Sequence, residues 1–160
     1  MFIRFITTGG TIDKVYFDAL SQFEIGDSTI KHILDEGLAD FGYEIVPLLQ
    51  KDSLNMTDED RTSLHDFIAS DDAERCVITH GTDTLAKTAE ALEDLQGKTI
   101  VLTGALTPAR FKTSDAIFNV GMAVAAAQVA PPGVYIAISG QVFRAGTVRK
   151  NRAENKFEPV

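Results

Sequence analysis

The sequence predicts an α/β fold, a three-layer sandwich around a mostly parallel sheet. Short apolar runs rich in Val, Ile and Phe recur along the chain, and segments with the apolar spacing of helices lie between them. Several runs are apolar at nearly every position, which is typical of strands that helices cover on both faces. Strands that alternate with helices in this way form parallel, Rossmann- or flavodoxin-like sheets through right-handed crossovers.

The elements follow one another in the order β-α-β-α-β-α-β-α-β. The predicted strands are FIRFIT, YEIVPLL, RCVITH, TIVLTG and VYIAISG. Each predicted helix has one apolar stripe, and the four stripes are Ile30, Ile33, Leu34 and Leu38; Leu64, Phe67 and Ile68; Leu85, Ala89, Leu92 and Leu95; and Ile117, Val120, Val124 and Ala127.

Helix boundaries have local signals. Thr57 followed by Asp60 predicts a capping box at the second helix, and Thr113 or Ser114 is placed to cap the fourth. Gly97 is placed to stop the third.

Two segments fall outside this pattern. Residues 13–27 are longer than a βα turn needs, which indicates either a functional loop or an ordered excursion. Residues 143–160 are polar, and their composition favours a flexible tail. A chain of 160 residues with 44% hydrophobic content is expected to form one domain, residues 1–160, that buries about two thirds of its surface.

Charge and cysteine content exclude several partners and compartments. The chain has 15 Lys and Arg against 23 Asp and Glu, so its net charge of -8 predicts repulsion from nucleic acid and from anionic membranes. The single cysteine, Cys76, lies in an apolar run, where a buried thiol is expected and no internal disulfide can form. The N-terminus has no signal-peptide pattern, so we expect a cytoplasmic protein.

Polar residues follow the strands. Thr11 comes after the first, Asp52 and Ser53 after the second, Thr82 and Asp83 after the third, and Thr103 after the fourth. Because the carboxyl ends of parallel strands lie along one edge, where ligands bind, these residues are expected to line one cleft.

The motif TTGGTI allows two interpretations. Gly9 and Gly10 leave room for a ligand to approach the main chain, and Thr11 projects a hydroxyl beside them. Thr11 is therefore either a nucleophile or a hydrogen-bonding residue in a tight turn.

The motif THGTDT is equally open. Asp83 and Thr84 lie where the third helix begins, so its N–H groups can hold an oxyanion or a carboxylate, or these residues merely cap the helix. A lone histidine at a strand end more often bonds its neighbours than catalyses, so we expect that role for His80.

Metal and cofactor motifs are missing from the sequence. His32, His65 and His80 have no ligand spacing, and one cysteine cannot build a zinc site. The glycines form neither a phosphate-binding loop nor a dinucleotide motif, so no cofactor is expected.

Five motifs, TTGGTI, DSLNM, THGTDTL, VLTGA and TVRKN, resemble in order those of the N-terminal domain of bacterial-type L-asparaginases. The resemblance implies that Thr11 attacks an amide carbonyl to give an acyl-enzyme, and that Ser53 holds the substrate's α-carboxylate. It implies that Thr82, Asp83 and Lys150 form a catalytic triad, with Asp83 also contacting the α-amino group. The candidate substrate-binding residues are Gly10, Asp52, Ser53, Gly81 and Thr103.

The chain departs from the family pattern in two ways. Phe23 aligns with a loop tyrosine that helps to activate the nucleophile, and Tyr16 is a candidate replacement. The chain also stops soon after Lys150, whereas the family has a second domain that completes a neighbour's site. We therefore expect a homo-oligomer, a dimer or tetramer, in which the Ala-rich fourth helix either packs between subunits or is buried within the fold.

The leading hypothesis is an amidohydrolase acting on L-asparagine or a related small amide through an acyl-threonine. The alternative is a small-ligand binding or regulatory protein that takes aspartate-like or asparagine-like ligands without efficient hydrolysis. A subunit of a tRNA-dependent amidotransferase is disfavoured by the net charge of -8, and a flavodoxin-like nucleotide binder has only the fold in its favour.

Overall fold

A computed structural model describes residues 1–17 and 22–160. In chain order its elements are β1 (Phe2–Gly9), β2 (Lys14–Phe17), β3 (Gln22–Ile25), α1 (Ile30–Glu36), β4 (Gly42–Lys51), α2 (Asp58–Ser70), β5 (Arg75–Thr79), α3 (Leu85–Glu90), β6 (Thr99–Thr103), α4 (Ala116–Val129), β7 (Gly133–Ile138), β8 (Gln141–Arg144), β9 (Val148–Asn151) and β10 (Lys156–Pro159).

The central sheet has the strand order β4-β1-β5-β6-β7-β8. Neighbouring strands from β4 to β7 are parallel, and β8 is antiparallel to β7. The α/β fold class with a mostly parallel sheet is therefore confirmed. Thr7 pairs with Thr79, and Thr79 pairs with Thr103, so these three strands end at the same level. This alignment brings the loops that follow β1, β5 and β6 to one edge.

Both faces of the sheet are covered, as apolar strands require. In β5, Cys76 and Ile78 pack against α2 and α3, whereas Val77 between them joins the core formed with α1 and α4. Cys76 is fully buried, and this burial raises the pKa of its thiol to about 12. The thiol is therefore un-ionised at neutral pH.

The helix signals are partly right. The capping box at α2 is present, because the Thr57 hydroxyl accepts from the Asp60 amide and the Asp60 carboxylate accepts from the Thr57 amide. The Ser114 hydroxyl accepts from Ala116 N at 3.0 Å, although Asp115 is the N-cap of α4. The prediction for Gly97 is wrong, because α3 already ends at Glu90.

Two of the predicted apolar stripes include a residue that is exposed. Leu38 lies beyond α1 with φ 51°, and 86% of it is exposed. Ile117 is 54% exposed on the outer face of α4. The inner face of α4 is buried within the fold and is formed by Ala116, Val120, Ala123, Ala126 and Ala127.

Short strands occupy the two segments outside the predicted pattern. β2 and β3 form an antiparallel hairpin, the ordered alternative for residues 13–27. The segment for which composition favours a flexible tail contains regular structure, because β8 extends the sheet and β9 pairs with β10. Val148 of β9 and Phe157 of β10 are buried in the core under α3, so apolar contacts hold this hairpin on the domain. In the part of the chain described, none of the helices is long and apolar enough to cross a membrane.

Candidate active site

Glycine contacts bring three strand-end loops together. Gly10 has φ 88°, and a Cβ added to it would lie 2.4 Å from Gly81 N. A Cβ on Gly81 would lie 2.5 Å from the Cβ of Ser53. Only residues without a side chain permit such close approach of two backbones. The loops after β1, β4 and β5 are therefore in direct contact, so that Thr11 and Thr82 follow two touching residues.

Lys150 links the β9 hairpin to the loop after β5. Its Nζ donates to Thr82 Oγ1 at 2.7 Å and to Asp83 Oδ1 at 2.7 Å. The Lys150 side chain is only 8% exposed, and that of Asp83 is 26% exposed. Removing either partner would leave a charge with little access to water, which is costly. Lys150 thus contacts both of the residues predicted to form a triad with it.

Thr11 begins a short 3-10 turn, Thr11–Asp13, directly after the contact between Gly10 and Gly81. Asp13 at the end of this turn is buried and accepts hydrogen bonds from Thr29 N at 2.9 Å and Thr29 Oγ1 at 3.0 Å. Burial raises the pKa of Asp13, although the Thr29 bonds and the charge of Arg110 oppose it. The turn that presents Thr11 is therefore anchored from below by a buried carboxyl group.

Asp52 and Ser53 form the wall of the site after β4. The Asp52 carboxylate accepts from Leu54 N at 3.0 Å and pairs with Lys14 Nζ at 3.2 Å. Partial burial acts to raise the pKa of Asp52, but the Leu54 amide and the charges of Lys14 and Lys150 outweigh it and lower the pKa. Asp52 is thus ionised at neutral pH, and Ser53 is only 3% exposed against Gly81.

Thr103 does not join the cleft. It is fully buried, and its hydroxyl donates to Ala137 O of β7 at 2.7 Å. The threonine therefore ties two strands together, and its hydroxyl bonds inside the sheet. Gly104 beside it has a packing role, because a Cβ there would lie 2.3 Å from His80 O.

Tyr16 and Phe23 are cross-strand partners in the β2–β3 hairpin. Their ring centroids are 5.6 Å apart, and both side chains are about half exposed. Because paired residues lie on the same face of a hairpin, Tyr16 presents its hydroxyl beside the ring that aligns with the expected tyrosine. Arg110 holds the base of this hairpin by donating to Asp13 O at 3.3 Å and Asp27 O at 2.9 Å.

His80 bonds its neighbours, as expected. The ring is fully buried, with Nδ1 2.7 Å from Gly81 O and Nε2 2.9 Å from Thr88 Oγ1. Thr88 Oγ1 in turn accepts from Arg61 Nε at 3.1 Å. Burial, and secondarily the charge of Arg61, lowers the pKa of His80 to about 4 despite the bond to Gly81. A neutral ring that donates through Nδ1 therefore fixes the carbonyl next to Thr82.

Sequence reasoning missed Arg152 and Lys14. Arg152 Nε lies 3.5 Å from Asp83 Oδ1, and its side chain is 63% exposed. Arg152 lies in the turn directly after β9, two residues from Lys150, and this closeness in sequence was the available signal. Lys14 gave no such signal, because its contact with Asp52 joins β2 to the segment after β4, far away in the sequence.

Within residues 1–17 and 22–160, no group of three or more His, Cys, Asp or Glu side chains is placed to hold a metal ion.

Comparison with known proteins agrees with the motifs. The family model described as "Asparaginase, N-terminal" matches residues 2–157. This chain belongs to the asparaginase family. Its asparaginase-type motifs are the ones that meet at the carboxyl edge of the sheet.

Relatives and solved structures support the same membership. An L-asparaginase of Thermococcus kodakarensis is 38% identical over 87 residues, which is 52% of this chain and 26% of the relative. L-asparaginase 1 of Escherichia coli is 34% identical over 119 residues, 70% of this chain and 34% of the relative.

The structural similarity to solved L-asparaginases covers nearly all of this asparaginase-family chain. The structure of the Thermococcus kodakarensis L-asparaginase matches with a TM-score of 0.83 and 28% identity, covering 100% of this chain and 51% of the other. L-asparaginase I of Vibrio cholerae matches with a TM-score of 0.85 and 29% identity, covering 99% and 51%. The chain thus spans about half the length of the structures it matches.

Proposed function

We propose that this chain is an asparaginase-like amidohydrolase that cleaves L-asparagine or a related small amide through an acyl-threonine on Thr11. The observation that carries the proposal is the buried Lys150 ammonium bonded to both Thr82 and Asp83 at 2.7 Å. A lysine on an isolated tail would be solvated. Lys150 is instead only 8% exposed and bonds the loop after β5, which contacts the loop that carries Thr11.

The chemistry proceeds in two half-reactions. Thr11 Oγ attacks the amide carbonyl carbon, its proton passes to a base, and the C–N bond breaks as ammonia leaves. Water then attacks the acyl ester, which releases a carboxylic acid and regenerates the Thr11 hydroxyl. Each addition places negative charge on the carbonyl oxygen, and fixed N–H donors near it lower the barrier.

Lys150 orients the second hydroxyl of the site. Because Lys150 donates to Thr82 Oγ1, the Thr82 hydroxyl proton must point elsewhere and is free to be donated into the cleft. Thr82 is therefore proposed to pass a proton to the departing ammonia or to orient the attacking water. Tyr16 is proposed to assist Thr11, since its hairpin begins directly after the Thr11–Asp13 turn.

Substrate contacts are assigned to the remaining residues of the site. Ser53, Asp52 and the main chain at Gly10 and Gly81 are proposed to hold the substrate's polar end. A surface depression lined by Lys14, Phe23 and Asp52 lies between the hairpin and the end of β4, so a small ligand there would contact Asp52.

Assembly and location belong to the same proposal. We expect a homo-oligomer, dimer or tetramer, whose neighbouring subunit covers the open side of the cleft. A cytoplasmic location is supported by the similarity to a probable cytoplasmic L-asparaginase from Campylobacter jejuni, which has a TM-score of 0.75. Sedimentation of the purified chain measures the assembly.

Ammonia release tests the function. The purified protein is incubated with L-asparagine, L-glutamine and a panel of small primary amides, and Thr11→Ala is expected to abolish release. Thr62→Ala is the matched control, because Thr62 is exposed on α2 and its hydroxyl bonds only the Asp58 carbonyl of its own helix. Ammonia release that survives in Thr11→Ala would refute the acyl-threonine.

A further inference from the structure

Asp83 carries more positive charge around it than one catalytic lysine supplies. Lys150 Nζ lies 2.7 Å and Arg152 Nε 3.5 Å from the same oxygen, Asp83 Oδ1. A single carboxylate thus faces two cations. The neighbouring carboxylate, Asp52, is paired with Lys14 at 3.2 Å, and the charge of Lys150 also acts to lower its pKa.

These five groups together carry one net positive charge, although the chain as a whole carries -8. Lys14 cancels Asp52, and Lys150 and Arg152 together exceed Asp83 by one charge. Such a balance attracts anionic ligands and weakens the attraction of Asp83 for an ammonium group, since a nearby cation opposes the approach of another.

Arg152 has the means to hold an anion directly. Its side chain is 63% exposed, and its contact with Asp83 runs through Nε at 3.5 Å. A guanidinium carries five N–H donors in a planar fork that matches a carboxylate. The Nη groups can therefore receive a carboxylate at the rim of the cleft while Nε keeps its contact with Asp83.

We propose that Arg152 makes this site selective for amides that carry a carboxylate but no α-ammonium group, the half-amides of dicarboxylic acids, of which succinamate is the simplest. Succinamate is asparagine without its amino group, so it keeps the amide for Thr11 and the carboxylate for Arg152. It does not bring a cation toward Asp83. This inference rests on the proposed amidohydrolase function for its catalytic part only.

Kinetics on paired substrates test the selectivity. We expect kcat/KM for succinamate to exceed that for L-asparagine by about tenfold or more, and Arg152→Gln to lower the succinamate value by about tenfold to hundredfold, the range of a charge-assisted hydrogen bond. The L-asparagine value is expected to change by less than about threefold, because the lost contact to the carboxylate is offset by a freer Asp83. Arg152→Lys is expected to recover part of the loss.

Arg149→Gln is the matched control. Arg149 lies on the same hairpin, is 68% exposed and pairs with Glu158 at 3.1 Å, away from Asp83. Arg149→Gln also removes one positive charge from this hairpin, but not one that faces Asp83. It is therefore expected to leave kcat/KM for succinamate unchanged. An equal loss in both variants, or a preference for L-asparagine by the wild type, would overturn the proposal.

Ligand binding separates this proposal from the catalytic one. If neither amide releases ammonia, the amidohydrolase function fails, and thermal unfolding with succinate or L-aspartate still decides the selectivity. Succinate is expected to raise Tm more than L-aspartate, and Arg152→Gln is expected to remove the difference. Equal protection by the two ligands, or protection by neither, would overturn the role of Arg152.

Discussion

The contact between Gly10 and Gly81 is the feature whose loss can be calculated best. Gly10 has φ 88°, and a Cβ on it would lie 2.4 Å from Gly81 N and 2.5 Å from Gly81 Cα. Gly10→Ala therefore has two costs: about 1–2 kcal/mol for an alanine held at a positive φ, here with ψ -177°, and about 1–3 kcal/mol for forcing a methyl group against backbone atoms. The sum, about 2–5 kcal/mol, is a large share of the roughly 5–15 kcal/mol that keeps a domain folded.

Gly97 provides the matched control. Its φ is 76°, but a Cβ there would meet nothing within 4 Å. Gly97→Ala therefore has the first cost without the second, about 1–2 kcal/mol. The difference between the two variants, about 1–3 kcal/mol, measures the contact between the loops.

Urea unfolding followed by circular dichroism measures this difference. With a slope of about 1–3 kcal/mol per molar urea, Gly10→Ala is expected to unfold roughly 1 M earlier than Gly97→Ala. Ammonia release is also expected to fall by about a hundredfold in Gly10→Ala alone, since a displacement of about 1 Å at the nucleophile has that effect. Equal midpoints and equal rates would refute the contact between these loops.

Three further predictions concern other buried or helical positions. His80→Gln is expected to flatten the pH dependence of stability. Burial lowers the pKa of His80 to about 4 from its ordinary value of 6.5, so the contribution of the neutral ring, about 3 kcal/mol, is full above pH 6.5 and is lost as pH falls toward 4. Urea midpoints that change in parallel with pH for both proteins would contradict this. Thr103→Val is expected to cost about 1 kcal/mol in urea while ammonia release is kept, because the bonds that are lost, to Ala137 O at 2.7 Å and to Asn119 O at 3.5 Å, both lie inside the fold. A loss of activity in a stable variant would return Thr103 to the site. Gly121 lies on the exposed side of α4, where an added Cβ would meet nothing within 4 Å. Gly121→Ala is expected to raise the free energy of unfolding by about 0.5–1 kcal/mol, seen as a Tm increase of about 1–4 °C. A lower Tm would mean that the helix packs differently.

The central strands and helices were predictable because their signals are local. The strand Arg75–Thr79 has three consecutive apolar residues, which lie alternately in the cores on the two faces of the sheet. The capping box at Thr57 is likewise written within four residues. Where a residue at a helix end has no packing partner, as with the exposed Leu38, periodicity alone misled.

The β9–β10 hairpin was not predictable, because polar composition outweighs its few apolar residues. Val148 and Phe157 are the residues that hold it on the core, and neither belongs to a strong periodic pattern. The same is true of the charge around Asp83, which depends on Lys150 and Arg152 arriving from a segment more than sixty residues away. The resemblance to asparaginases pointed to Lys150 but gave no reason for Arg152.

The sequence by itself determined the order of strands and helices, the edge at which polar residues would gather and the motifs that define the family, because periodicity and loop chemistry are properties of neighbouring residues. Tertiary structure decided which of those residues share the site. In the folded chain the Thr103 hydroxyl bonds inside the sheet, and Lys150 lies 2.7 Å from both Thr82 and Asp83. Gly10 packs directly on Gly81. Such contacts depend on strand register and on the close approach of backbones, which no stretch of sequence contains until the chain has folded.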